Sequence, residues 1–238
     1  PEAGREMIPG EPEAGREMIP GEPEAGREMK VWIVGVGNDG AASLSETALG
    51  LIEKADLLIG GERLLAFFPE TTAEKLAIKS NLDQVVEQIE AGHGTRRIVV
   101  LGTGDPNFYG ITRTLTARLP REWFEVLPTV SAMQWAFARI KEPWDDAVFI
   151  SVHGRRPLRP LIDLVRQSRK VGVFTDEVHS PPAIARALLA EGITGVRAWV
   201  CEELQSEREK VTETDLETLA TMTVSPLNTL ILIRDDND

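Results

Sequence analysis

The sequence predicts an α/β protein: two α/β domains with mainly parallel sheets and a ligand cleft between them. Three observations predict it. Short apolar runs such as KVWIVGV (Lys30 to Val36), IVVL (Ile98 to Leu101) and VGVF (Val171 to Phe174) recur between helical patterns, and each breaks into a loop of Gly, Asp, Ser or Pro. The intervening segments are long enough for crossover helices, and right-handed crossovers bring the strand C-termini and their loops to one edge of a sheet. KEPWDD (Lys141 to Asp146) is charged, broken by proline and without period, which separates a domain over 29–141 from one over 145–238.

Composition narrows the function classes. Of 238 residues, 42% are apolar, enough for one large core or two smaller ones. No apolar run approaches the ~20 residues of a bilayer span, and no signal pattern precedes the first strand, so a cytoplasmic protein without membrane contact is expected. Net charge is −12, of which eight Glu against three Arg in residues 1–28 supply −5. The rest is moderately acidic and offers no broad footprint for nucleic acid. Cys201 stands alone and His93, His153 and His179 are scattered, so neither a disulfide framework nor a metal cluster is expected. An organic cofactor is the more natural helper.

The folded part begins at Met29. Before it, PEAGREMIPGE repeats with two Pro and two Gly per unit and almost no apolar stripe, which excludes a packed helix and reads as a disordered leader or an artefact. After the first strand, GVGNDG places Gly35, Gly37 and Gly40 in a GxGxxG pattern. A dinucleotide fingerprint opens its helix within the glycines. Here Ser43-x-x-Glu46 reads as a capping box, with the helix over 46–54. That spacing weighs against an NAD(P)-dependent oxidoreductase, the alternative this loop raises. Glu62, after the strand ADLLIGG, is either a ribose ligand or a solvated turn carboxylate. An amphipathic helix is expected over 82–91.

The most informative stretch is LGTGDPNFYG, Leu101 to Gly110. Glycines let a backbone approach a ligand, and Asp105 puts a carboxylate at a strand's C-terminal end, where open α/β sheets bind ligands. Asp105-Pro106 equally suits a helix N-cap with proline in the first turn, ahead of a helix over 110–119. A strand over 124–127 then runs through PTVSA into a helix reaching Ile140, with Ser131 as ligand contact or cap. The second half predicts a strand over 147–152 ending in HGRRP, a helix over 158–168, and a strand over 171–174 ending in TDEVHSPP. A helix over 183–191, a strand over 196–201, a short helix near 215–220 and a last strand over 229–233 follow. The final connection is short for a crossover, which suggests an antiparallel addition. Trp135 and Phe137 read as core, and Cys201 as a small buried apolar residue.

Taken together, GVGxxG, GTGDPNFYG, PTVSAMQ and SVHGR resemble, in order and spacing, the tetrapyrrole methylase family over Met29 to about Ile233. GDPxFYG, SVHGR and PLNTLIL look most like its branch that methylates ring carbon C5 of precorrin-6Y or cobalt-precorrin-7 in cobalamin biosynthesis. A uroporphyrinogen or precorrin-2 methylase is the alternative within the family. The resemblance implies S-adenosylmethionine as cofactor, a homodimer, and a precorrin-type tetrapyrrole as substrate. It carries cofactor contacts onto Val36, Asp105, Phe108, Ser131, Ala132, Thr175 and Asn228, flanked by Gly102, Gly104 and Tyr109. Asn38-Asp39 stands where relatives often have Pro-Gly. The substrate's carboxylates suit guanidinium forks. Arg155, Arg156 and Arg159 with His153, and Arg113 behind the GDP loop, are therefore candidate substrate contacts. For each of them a solvated surface role is the alternative, and no catalytic base is assigned.

Overall fold

The computed structural model describes residues 29–154 and 157–234. The repeat over 1–28, Arg155 and Arg156 lie outside the described residues. The first sheet holds β1 (Val31–Val36), β2 (Leu57–Gly60), β3 (Glu74–Ala77), β4 (Ile98–Thr103) and β5 (Phe124–Leu127), in the order β3-β2-β4-β1-β5 with every pair parallel. Helices α1 (Glu46–Glu53), α2 (Glu62–Leu65), α3 (Leu82–Gly92) and α4 (Ile111–Thr116) connect its strands. Both faces of the central pair are apolar because both are covered. Ile33, Ile98 and Val100 pack with Val85, Ile89 and Leu115, whereas Val34, Val36 and Leu101 pack with Ala48 and Ile52 of α1.

The second sheet holds β6 (Val148–Ser151), β7 (Lys170–Phe174), β8 (Val196–Glu202), β9 (Lys210–Asp215) and β10 (Asn228–Arg234), ordered β6-β7-β10-β8-β9. Only β6 and β7 run parallel. The expected antiparallel addition is β10, which lies between β7 and β8 and opposes both, and β9 forms a hairpin with β8. Helices α6 (Arg159–Gln167), α7 (Pro181–Ala190) and α8 (Leu216–Leu219) complete this half. Leu161, Val165, Ile184 and Leu188 of α6 and α7 share one apolar cluster with Val171, Val173, Leu230 and Leu232 of the sheet.

Helix α5 (Ala132–Ile140) joins the halves. Ser131 caps it reciprocally with Gln134, and Met133, Ala136, Phe137 and Ile140 follow the helical period on one face. That face packs on the second sheet, against Trp199, Cys201, Ile231 and Ile233. Gly172 makes the approach close: a Cβ there would sit 2.6 Å from Met133 Sδ. Burying Met133 and Phe137 is worth about 1.5–3 kcal/mol each. Lys141 ends the helix in the left-handed region, and the linker beyond is gathered on Lys170. The ammonium of Lys170, only 4% exposed, donates to Pro143 O and Asp146 Oδ1 at 2.8 Å each and pairs with Glu142 Oε1 at 2.9 Å.

Three expectations change. The cap of α1 is Ser45, whose hydroxyl accepts from Ala48 N–H at 3.3 Å, not Ser43, which belongs to the turn before it. Asp105 does not cap α4, since that helix begins at Ile111 with Gly110 as its N-cap. β3 and β9 were not anticipated: each is an edge strand with a polar face, which leaves little apolar signal.

At the opposite edge of the first sheet, Asp56 takes three hydrogen bonds from Arg97, one from its backbone N–H at 2.8 Å and two from its guanidinium at 3.1 and 2.5 Å. The side-chain bonds come first in holding the Asp56 carboxyl down to about 2. A carboxyl lower in the folded state than its unfolded value near ~4 stabilises the fold above that value and loses the effect as pH falls. Asp56→Asn should therefore melt below wild type at neutral pH, and the gap should close between about pH 4 and 2 when melting temperatures are compared across pH.

Candidate active site

Three loops meet at the C-terminal edge of the first sheet because two glycines allow it. A Cβ on Gly35 would stand 1.9 Å from Gly104 O, and one on Gly104 2.9 Å from Ser131 Cα. Gly104, at φ +59°, donates its N–H to Val36 O at 2.9 Å and accepts from Thr129 N–H at 3.2 Å. The ends of β1, β4 and β5 are thus stitched through one residue. Val36, Gly102, Gly104, Asp105, Ser131 and Ala132 are brought together, as the sequence predicts.

The turn after β4 is held by its own backbone and by Asp105. Asp105 Oδ1 accepts from Asn107 N–H at 2.8 Å, and Phe108 N–H reaches Asp105 O at 3.0 Å. Gly110 fits because a Cβ would lie 2.4 Å from Pro106 O. Among the described residues, no donor reaches Asp105 Oδ2. Ser131 is 4% exposed, and its hydroxyl accepts from Gln134 N–H at 3.2 Å and lies 3.0 Å from Gln134 Oε1, so the cap reading holds for its side chain. The N–H groups of Ala132 and Met133 remain as first-turn donors of α5.

Phe108 and Tyr109 carry the loop to the second domain. Phe108 meets Phe174 and Phe149 edge-on at 5.3 Å each, and Tyr109 meets Phe174 at 5.8 Å. Tyr109 sits at φ +57° and donates its hydroxyl to Phe149 O at 2.6 Å. Phe174 precedes Thr175, which donates to Asn228 Oδ1 at 2.7 Å, while Asn228 Nδ2 donates to Ser225 O at 2.7 Å. Thr175 and Asn228 are therefore adjacent, with their side chains engaged inside the second domain.

The candidate substrate residues separate. A cavity of about 460 Å³ beside this edge is lined by Asn107, Phe108, Tyr109, Arg113, Ala147, Val148 and Phe149, so Arg113 faces an aromatic wall that the cofactor candidates share only through Phe108 and Tyr109. His153 is exposed in a turn. Arg159 is drawn away by Asp163 at 3.0 Å and Glu191 at 3.8 Å, a surface role. Arg155 and Arg156 lie outside the described residues.

Sequence reasoning missed Asp176. Its carboxylate accepts from Gly154 N–H at 2.9 Å and His179 N–H at 2.6 Å, tying the turn after β6 to the loop after β7. The His179 N–H bond is the main cause holding it below the usual carboxylate range. An Asp three residues before the backbone N–H that donates to it in TDEVHS was the available signal. Cys201 is buried as expected, and burial pushes its thiol up to about 12, so it stays protonated. Phe137 is fully buried and Trp135 lies half-buried beneath Arg139, which confirms both as packing residues. The nicotinamide alternative loses its geometry: Gly37 to Gly40 closes on itself, α1 starts only at Glu46, and Glu62 pairs with Lys79 at 2.6 Å in solvent.

The profile of the tetrapyrrole (corrin/porphyrin) methylases matches residues 30–220. The cobalt-precorrin-7 C(5)-methyltransferase of Salmonella typhimurium is 35% identical over 180 residues, 75% of this chain and 87% of its own. A probable cobalt-precorrin-7 C(5)-methyltransferase of Methanocaldococcus jannaschii is 28% identical over 211 residues, 87% of this chain and 99% of its own. At the level of fold, the precorrin-6Y methylase of Archaeoglobus fulgidus superposes with a TM-score of 0.64 at 22% identity, covering 87% of this chain and 98% of that one. A uroporphyrin-III C-methyltransferase of Thermus thermophilus, complexed with S-adenosylhomocysteine, superposes with a TM-score of 0.65 at 22% identity over 85% and 91%.

Because Gly35 faces a backbone oxygen, no side chain can yield to a new methyl group there. Gly35→Ala should lower the melting temperature by more than Gly104→Ala, with overpacking and left-handed strain each costing about 1–3 kcal/mol, or about 2–4 °C per kcal/mol at this chain length. Thermal melts of the two variants check the order.

Proposed function

This chain belongs to the tetrapyrrole (corrin/porphyrin) methylases, and we propose that it methylates ring carbon C5 of a late precorrin or cobalt-precorrin, using S-adenosylmethionine, in cobalamin biosynthesis. The observation that carries the cofactor assignment is the stitched edge itself: a backbone cradle at Gly35 and Gly104, a carboxylate oxygen of Asp105 that no donor reaches among the described residues, and the open first turn of α5. These fit a ligand that presents hydroxyl and amino donors beside a carboxylate. When bound, S-adenosylmethionine supplies an electrophilic methyl group on a sulfonium.

The electron-rich ring carbon of the substrate is the nucleophile, so the protein needs none of its own. Its task is to place the two reactants and exclude water, effects worth up to about 7–11 kcal/mol of barrier. Asp105 Oδ2 accepts a hydrogen bond from the cofactor, and the N–H groups of Ala132 and Met133 donate to it. Ser131, Thr175 and Asn228, whose side chains are spent internally, contribute through their backbone atoms. Val36, Gly102 and Gly104 form the floor, and Phe108 and Tyr109 close the cleft toward the second domain.

Arg113 holds a substrate carboxylate within the aromatic-walled cavity, and His153, Arg155 and Arg156 are assigned the same task from sequence. The working form is a homodimer in the cytoplasm. No helix among the described residues is long and apolar enough to cross a membrane.

Calorimetry with S-adenosylhomocysteine tests the cofactor assignment, and absence of binding overturns it. Asp105→Asn keeps an oxygen for Asn107 N–H but replaces the second acceptor with a donor, so affinity should fall about tenfold or more with little change in melting temperature. Incubation with a purified late precorrin should add one methyl by mass. Arg113→Glu should raise the substrate KM about tenfold or more while leaving S-adenosylhomocysteine affinity unchanged, and equal effects on both would remove it from the substrate side.

A further inference from the structure

We propose that Asn38, held by Arg63, is a positioning residue that sets the spacing between the two halves of the cofactor site, an inference that rests on the assignment of that site above. Asn38 Oδ1 accepts from Arg63 Nη1 at 2.7 Å, and its Nδ2 donates to Leu204 O in the second domain at 2.9 Å. One carboxamide uses its acceptor on its own domain and its donor across the cleft. Gln205 Nε2 adds a longer bond to Asp39 Oδ1 at 3.4 Å.

Each end of this clasp is rigid. On the first domain, Gly37 N–H donates to Ser43 Oγ at 2.8 Å, Ser43 Oγ donates to Gly40 O at 2.6 Å, and Thr129 Oγ1 holds Ser43 O at 3.1 Å. Asn38 thus stands two residues from Val36 on a loop bonded to the turn after β5. On the second domain, Glu203 and Gln205 both adopt left-handed backbone, at φ +48° and +64°, a conformation non-glycine residues hold only when their surroundings fix it. Glu203 N–H donates to Leu227 O at 2.9 Å, next to Asn228, and its carboxylate accepts from Ser225 Oγ at 2.6 Å. Gln205 N–H is held by Glu209 at 2.7 Å, and Glu209 pairs with Arg139 of α5.

Hydrogen bonds therefore run from beside Val36, through Asn38 and Leu204, to beside Asn228. Arg63, exposed and facing Glu203, orients the carboxamide so that its NH₂ points across. Only a group with both a donor and an acceptor completes the path. An isosteric Asp at this position would still accept from Arg63 but would oppose Leu204 O with a second oxygen.

Asn38→Asp in the full chain separates this role from general stability. In ligand-free hydrogen–deuterium exchange, segments 203–209 and 225–228 should exchange several-fold faster while β1 and β4 keep wild-type protection. Calorimetry should show S-adenosylhomocysteine affinity weakened about tenfold at an unchanged melting temperature. Arg63→Met, which frees the carboxamide to turn, should give the same pattern more weakly. Wild-type exchange in both segments, or wild-type binding with unchanged affinity in Asn38→Asp, overturns the clasp alone. A wild type that binds no S-adenosylhomocysteine overturns the functional reading and the positioning role with it.

Discussion

The site depends on one backbone contact, the Cα of Gly35 lying against the carbonyl of Gly104. In a parallel sheet, neighbouring strand ends diverge with the twist, and the loops that follow them ordinarily splay. Here the hydrogen bonds of Gly104 to Val36 and Thr129 pull three loops onto one point. That convergence needs a residue without Cβ on β1 and a left-handed residue after β4, and both requirements fall on glycine. The start of α5 is then seated on the same point, because Ser131 lies directly over Gly104.

From this follows a division of labour between side chain and backbone. Ser131, Thr175 and Asn228 look like polar ligands, yet each directs its side chain to a neighbour in the protein. Around Gly35 and Gly104 the edge of the first sheet presents peptide groups and glycine, beside the Asp105 oxygen that no donor reaches among the described residues. Such a surface suits a ligand held by shape and main-chain donors, which are pre-ordered and lose little entropy when a ligand arrives. Side chains with more freedom, Arg113 among them, lie farther out, around the aromatic cavity.

Most of the strands were legible because burial on both faces forces continuous apolar runs, and the loops between them carry turn chemistry that few other structures require. The two exceptions, β3 (EKLA) and β9 (KVTETD), lie at sheet edges where half the residues face water. Capping was harder to read. Ser43 and Ser45 are both plausible before Glu46, and only the bond from Gly37 N–H to Ser43 Oγ decides between them. The residues of the first half's edge could be gathered from sequence because parallel topology places strand ends together. Asn38 and Gln205 could not, since each acts through a partner in the other domain, and of the two bonds of Asp176 only the local one to His179 was readable, the one to Gly154 spanning 22 residues.

Helix α5 explains why the two halves behave as one object at the cleft. Its first turn belongs to the edge of the parallel sheet, and its buried face belongs to the core of the second sheet. A rigid rod cannot follow both if the halves separate, so opening the cleft would draw Met133 from the hollow over Gly172 or lift Ser131 from Gly104. The lever is short, nine residues or about 13 Å, and both of its ends are fixed.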